Sequence, residues 1–99
     1  MVEGKDKPDA PPAAEALPHV DFATFVLSLS HSALVHLGEA PNPETGTLQK
    51  NLVLARQTID LVAMLEEKTK GNLTGDEERL IGQILFDLRM RYVEMSKTR

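Results

Sequence analysis

The residues that could carry chemistry are few, and their spacing fits no common catalytic or metal site. The histidines are His19, His31 and His36. On a helix, a separation of five residues turns the side chains of His31 and His36 about 140° apart, so they do not form the i, i+4 pair that a helical metal site uses. We therefore predict no metal site and interpret His36 as a histidine at a packed edge or interface.

The chain also lacks the nucleophiles and loops of the common enzyme classes. It contains no cysteine, which excludes a disulfide, a thiolate zinc ligand and a cysteine nucleophile. Ser28, Ser30 and Ser32 are not set in the Gly-x-Ser-x-Gly turn of a serine hydrolase, and the scattered glycines form no phosphate-binding loop. We predict that the chain is not an enzyme and holds no cofactor.

Charge and hydropathy limit the possible cellular locations of the protein and the classes of partner it could bind. The formal net charge is −4, whereas nucleic-acid-binding domains usually carry a basic surplus on one face. Residues 1–21 contain no apolar core of the kind an export signal needs. The uncharged run FATFVLSLSHSALVHLG has 17 residues, fewer than the ~20 apolar residues that span a bilayer. We predict a cytoplasmic protein that does not bind nucleic acid.

Three helices are predicted to position these residues, in an all-α domain over residues 20–97. Residues 1–19 contain four of the six prolines and show no apolar periodicity, which is typical of a disordered tail. Clusters of Pro, Asn and Gly in residues 39–47 and 70–77 predict two connections. A helical hairpin preceded by an apolar helix is expected, with helices at about 21–38, 51–70 and 75–97.

Capping residues and apolar periodicity define each predicted helix. Polar side chains at the helix starts can accept amide hydrogen bonds, and glycines just past the ends can adopt the left-handed conformation. The predicted caps are Asp21 and Gly38, Asn51 and Gly71, and a capping box of Thr74 with Glu77. At about 100° per residue, the predicted core stripes are Phe22, Phe25, Val26, Leu29, Ala33, His36 and Leu37; Leu54, Ala55, Thr58, Leu61, Val62, Leu65 and Thr69; and Ile81, Ile84, Leu85, Leu88, Tyr92 and Met95.

The first and third helices carry more apolar surface than a three-helix monomer can cover. Apolar or small side chains occupy roughly 200° of the first helix, where a surface helix needs about 100°. The third helix adds Phe86, Met90 and Val93 on the side away from its core stripe. Because such patches usually mark association sites, we predict a homo-oligomer. The candidate interface residues are Phe22, Phe25, Leu27, Leu29, Leu34, His36, Phe86, Met90 and Val93.

Four alternatives stay open at this stage. The first helix could contact a membrane surface through Phe22, Phe25 and Leu29, although peripheral helices usually carry Lys or Arg on the polar face and this helix has neither. The chain could instead bind an unidentified protein partner, or be a monomer with a fairly apolar surface. An enzyme or ligand binder with a pocket between subunits is a more distant alternative.

Several ordered blocks of the sequence resemble a known family. They are F-x-x-F-V-L-S-L, S-A-L-V-H-L-G, Q-T-I-D-L-V-A-M-L-E-E-K-T-K-G-N-L-T and D-L-R-M-R-Y-V-E. Over about residues 20–95 the chain is similar to a small bacterial family called domain of unknown function, number eighteen-forty-four. The resemblance implies a compact helical bacterial protein and no activity or catalytic residue. Near the start of the second helix, where the family pattern leads us to expect a proline, this chain has Val53. We predict a non-enzymatic, self-associating interaction or scaffold module.

Overall fold

A computed structural model describes residues 20–97 of the chain. Residues 20–97 form three helices, and each one packs against the other two. Their bounds are α1 Phe22–Leu37, α2 Leu52–Lys68 and α3 Gly75–Lys97. Residues 20–97 contain no strand, so the predicted all-α, three-helix fold is confirmed. The tail predicted to be disordered, residues 1–19, lies outside the described residues.

Helix α1 begins and ends at the two predicted cap residues. The backbone N–H of Thr24 donates to Asp21 Oδ1 at 2.8 Å, which satisfies one of the free amides of the first turn. Gly38 has a φ of 83°, and its N–H donates to the carbonyls of Leu34 and Val35. A left-handed residue at this position is the usual way to stop a helix.

The connection after α1 folds back over the end of that helix. The amide of Asn42 donates to the carbonyl of Thr47 at 2.9 Å, and the amide of Asn51 donates to the carbonyl of His36 at 2.7 Å. Val35 is consequently buried, although it lies outside the core stripe predicted for α1. The stripe did not include it because the helical period contains no information about a loop that returns over the helix.

Helix α2 starts at its predicted cap and ends earlier than predicted. The amide of Leu54 donates to Asn51 Oδ1 at 3.1 Å, which confirms the N-terminal cap. The last helical residue is Lys68, and Thr69 is the C-terminal cap in place of Gly71. The Thr69 hydroxyl donates to the carbonyl of Leu65 at 2.7 Å, and a side-chain bond of this kind competes with continuation of the backbone helix.

The core lies along the centre of the three-helix bundle. Its buried residues are Val26, Ala33, Leu37, Ala55, Ile59, Val62, Ile81, Leu85 and Leu88. The predicted stripe of α2 was displaced, because Ile59 is buried whereas Leu54 and Leu61 remain 40% and 44% exposed. Helix α2 contacts α1 on one side and α3 on the other, so its buried arc is rotated toward both neighbours.

Helix α3 has the start and the core stripe that the sequence predicts. The amide of Thr74 donates to Glu77 Oε1 at 2.9 Å and the amide of Glu77 donates to Thr74 Oγ1 at 3.1 Å, which is a reciprocal capping box. Ile81, Leu85 and Leu88 are buried. The remaining predicted core residues of this helix, Ile84, Tyr92 and Met95, pack against the core from its edge.

Candidate functional site

An apolar groove lies between α1 and α2. Its lining residues, which define the apolar groove below, are Phe25, Leu29, Leu61, Met64 and Leu65, and they enclose a cavity of about 90 Å³. Within the described part of the chain, no charged side chain and no residue of α3 contributes to this lining. The groove is therefore a shallow hydrophobic depression on the outer side of the α1–α2 pair.

Helical geometry explains why these five side chains meet. Phe25 and Leu29 are four residues apart on α1, and Leu61 and Leu65 have the same spacing on α2, so each pair forms one ridge. The two ridges face each other where the helices pack. Phe25 and Met64 are 49% and 50% exposed, which leaves the rim of the groove open to solvent.

A second apolar surface, the apolar stripe, consists of Phe86, Met90 and Val93 on α3. Their side chains are 68%, 53% and 49% exposed. At about 100° per residue they centre on the side of α3 roughly opposite its buried residues. The stripe therefore lies away from the core residues of α3, as the sequence predicts, with Val93 at its edge toward α2.

Some of the candidate interface residues of α1 are half-buried at the edge of the core, and others are exposed. Phe22, Leu29 and Leu34 are half-buried and pack against the core of their own chain. Leu27 is 52% exposed and stands apart from the apolar groove. Phe25 is the residue of this set that combines high exposure with a place in the groove.

Sequence reasoning missed the contribution of α2 to the groove. Leu61 had been assigned to the core, and Met64 had been given no role. The signal was present in the pattern L61-x-x-M64-L65, which places apolar side chains on a broader arc than the buried stripe of α2 occupies. Which part of that arc would face α1 depends on how α3 docks, and the period alone does not reveal this.

The two described histidines line one cavity between α1 and the following connection. His31 and His36 meet Asn42, Pro43 and Glu44 around a space of about 250 Å³. The cavity lies where the connection passes over the last turns of α1; His36 is half-buried there, whereas His31 remains exposed. Within residues 20–97, no group of three or more His, Cys, Asp or Glu side chains is placed to hold a metal ion.

Charged side chains form local pairs at the edges of the bundle. Arg91 Nε donates to Asp87 Oδ2 at 2.7 Å, and Arg91 also pairs with Glu39 in the connection. The hydrogen bonds that Arg91 donates to the carboxylates of Asp87 and Glu39, of which the bond to Asp87 has the larger effect, raise the pKa of Arg91 above its usual value. This cluster ties α3 to the segment that follows α1. Because Arg91 is 43% exposed, the stabilisation is expected to be modest.

A wider depression lies between α2 and α3, beside the apolar stripe. Arg56, Asp60, Arg89 and Tyr92 line a space of about 370 Å³ together with Ile59 and Val93. Arg56 and Asp60 approach to 3.7 Å. The guanidinium of Arg89 therefore belongs to a surface that continues directly into the stripe through Val93.

A helix must be long and predominantly apolar to span a bilayer. None of the helices within residues 20–97 is both long and apolar enough to cross a bilayer.

Comparison with known proteins found one family match. The family model described as Domain of unknown function (DUF1844) matches residues 19–94. Searches of curated proteins and of solved structures each found no match. The matched range covers all of α1 and α2 and most of α3.

Proposed function

The chain belongs to the DUF1844 family, and from that starting point we propose that it is a non-enzymatic, self-associating interaction module of the bacterial cytoplasm. The observation that carries this proposal is the apolar stripe on α3. Phe86, Met90 and Val93 are half or more exposed, and they are contiguous along one helix face. Contiguous exposed apolar surface of this kind usually marks an association site.

The size of the stripe sets the expected strength of self-association. At their observed exposures, the three side chains offer roughly 300 Å² of apolar surface to a partner. Two such surfaces remove roughly 600 Å² from water, which contributes roughly 15 kcal/mol at ~25 cal/mol per Å². Association itself costs about 4 to 15 kcal/mol. We therefore expect a reversible, concentration-dependent assembly.

The apolar groove provides a second contact surface on the same small domain. It lies between α1 and α2, and none of its lining residues belongs to the stripe on α3. A copy that uses its stripe for self-association therefore keeps its groove accessible. This arrangement suits a scaffold that holds its own copies together and also engages another apolar surface, including that of an unidentified protein partner.

Peripheral membrane contact through α1 is the alternative that the same exposed residues allow. Phe25 is exposed, but Phe22 and Leu29 are half-buried against the core of the chain. Helix α1 also contains no Lys or Arg, which interfacial helices use to engage anionic lipid. These features favour a protein surface over a lipid surface as the partner of the exposed residues.

A charge placed in the stripe tests the proposal. We expect Phe86→Glu to lower the mass of the full chain in light scattering, because burying a carboxylate in an apolar contact is strongly unfavourable. Leu48→Glu is the matched control, since Leu48 is 64% exposed in the connection and belongs to neither apolar surface. An unchanged mass for Phe86→Glu would show that the stripe is not the surface through which the chain self-associates.

A vesicle experiment separates the membrane alternative. Full-length chain is sedimented with vesicles that contain anionic and zwitterionic lipids. The proposal predicts that the chain stays in the supernatant. Sedimentation that is lost in Phe25→Glu would instead assign the exposed face of α1 to a membrane.

A further inference from the structure

We propose that two copies pair through α3 in parallel about a two-fold axis, with Arg89 of each copy facing Glu94 of the other. This inference rests on the proposed self-association and adds its symmetry, its orientation and the charged residues that select it. A second copy of the same chain therefore covers the apolar stripe.

The spacing of the stripe is that of a short coiled-coil seam. Phe86, Met90 and Val93 are separated by four and then three residues, which corresponds to consecutive d, a and d positions of a heptad. In this register Arg89 occupies a g position and Glu94 the following e position. The g and e positions flank the seam and set the orientation of paired helices.

The charges on the two flanks distinguish parallel from antiparallel pairing. In a parallel pair, a g residue faces the e residue five positions further along the other helix, so Arg89 meets Glu94 twice. In an antiparallel pair each flank meets the same flank of the other copy. Asp87 would then lie near Glu94 of the other copy, and the two Arg89 side chains would approach each other. Like charges that are brought together destabilise such a contact, so the flanks favour the parallel arrangement.

The pairing state of these side chains within one copy supports the assignment. Asp87 is held by Arg91 at 2.7 Å, and Arg56 lies 3.7 Å from Asp60. By contrast, neither Arg89 nor Glu94 forms an ion pair with another side chain of residues 20–97. Both are exposed, and they lie on opposite edges of the stripe. They are therefore available to each other across a two-fold axis.

The extent of the seam limits the contact to its central turns. Gln83 and Lys97 occupy the next a positions at the two ends, so the helices are expected to diverge there, as crossing helices commonly do. The apolar core of roughly 600 Å² together with the four flanking charged residues approaches the ~1,000 Å² of a small specific interface. A second copy can supply this area without any further segment.

Charge exchange provides the test. Arg89→Glu and Glu94→Arg each replace two attractive contacts between copies with two repulsive ones, so each variant alone should dissociate about tenfold more readily at low ionic strength. An equal mixture of the two variants should restore association near the wild-type strength, because all four charges are then matched in the mixed pair. Sedimentation equilibrium of the full-length chains measures these constants, and circular dichroism checks that each variant is folded.

Two controls complete the design. Lys68→Glu makes the same charge change as Arg89→Glu on α2, away from the stripe, and should leave the dissociation constant unchanged. Met64→Glu alters the apolar groove and should also leave it unchanged. A large effect of Met64→Glu would instead indicate that the stripe of one copy enters the groove of the next.

The possible outcomes separate this inference from the proposed function. If the wild-type chain is monomeric at every concentration, the proposed self-association fails. If it associates and Phe86→Glu abolishes association, but the charge variants behave as wild type or their mixture is not restored, the parallel pairing is wrong and self-association stands. Tighter association of Glu94→Arg alone would indicate antiparallel pairing, because Asp87 would gain an opposite charge.

Discussion

Replacement of Gly38 by alanine tests the junction that fastens the first connection to α1. Gly38 has a φ of +83°, and a Cβ added there would lie 3.3 Å from Lys50 Cβ and 3.5 Å from Lys50 Cα. The residue therefore meets two requirements at once. Its backbone is left-handed, and the returning chain passes so close that Lys50 would have to shift by a few tenths of an ångström to accept a Cβ.

The expected loss of stability follows from these two terms. A non-glycine residue in the left-handed conformation costs about 1 to 2 kcal/mol, and the tight approach to Lys50 adds about 1 kcal/mol of crowding. Alanine also restricts the unfolded chain, which returns about 0.4 to 1 kcal/mol. The net expectation is a decrease of about 1 to 2.5 kcal/mol in the free energy of unfolding.

Urea denaturation followed by circular dichroism measures this difference. The measurement is made in the Phe86→Glu background, so that self-association does not add to the apparent stability. Gly71→Ala is the matched control, because Gly71 has a φ of +85° and no heavy atom within 4 Å of the added Cβ. Its expected loss is about 1 kcal/mol smaller than that of Gly38→Ala, since only the backbone term remains.

Equal losses for the two variants would show that Lys50 does not crowd Gly38. The connection would then pass farther from the end of α1 than it does in the structure. No loss at all for Gly38→Ala would contradict the left-handed helix end itself.

Two further substitutions, one within α3 and one at its N-terminal cap, should change stability in opposite directions. Gly82→Ala should raise the free energy of unfolding by about 0.5 to 1 kcal/mol, because alanine is the better helix former and its Cβ would lie at an ordinary contact distance of 3.8 Å from Glu66 Oε2. A lower midpoint temperature in thermal denaturation would show that the space beside Gly82 is too small for a methyl group. Thr74→Ala should lower the free energy of unfolding by about 1 kcal/mol through loss of the capping box. Thr74→Ser keeps the hydroxyl and should therefore retain most of the wild-type stability. Equal effects of the two Thr74 variants would show that the hydroxyl bond to the Glu77 amide is unimportant.

The helix ends were largely predictable because their signals are local. Asp21, Gly38 and the pair Thr74 and Glu77 each act within one turn of the chain, and the structure has all of them in the predicted roles. The end of α2 was missed because Thr69 and Gly71 both offer a local stop. The sequence does not show which stop acts first.

The side assignments were less predictable because they depend on tertiary packing. Val35 is buried by a connection, and Ile59 is buried in place of Leu61 because α2 turns toward two neighbours at once. Helical periodicity identifies an apolar arc, but the direction from which another element covers it is a property of the assembled fold.

The two candidate surfaces also differ in whether the sequence could predict them. The stripe could be identified from the sequence because Phe86, Met90 and Val93 belong to one helix and lie away from its own core residues. The apolar groove could not, because it combines α1 with Leu61 and Met64 of α2. A surface shared by two helices requires their relative rotation, which no local pattern specifies.

Self-association of the chain through α3 can be tested by the mass of the full-length wild-type chain in light scattering across about a hundredfold dilution. We expect a mass near twice the 10.9 kDa of one chain at high concentration, falling toward that of one chain on dilution. A mass of 10.9 kDa at every concentration would contradict self-association and leave both apolar surfaces to other partners.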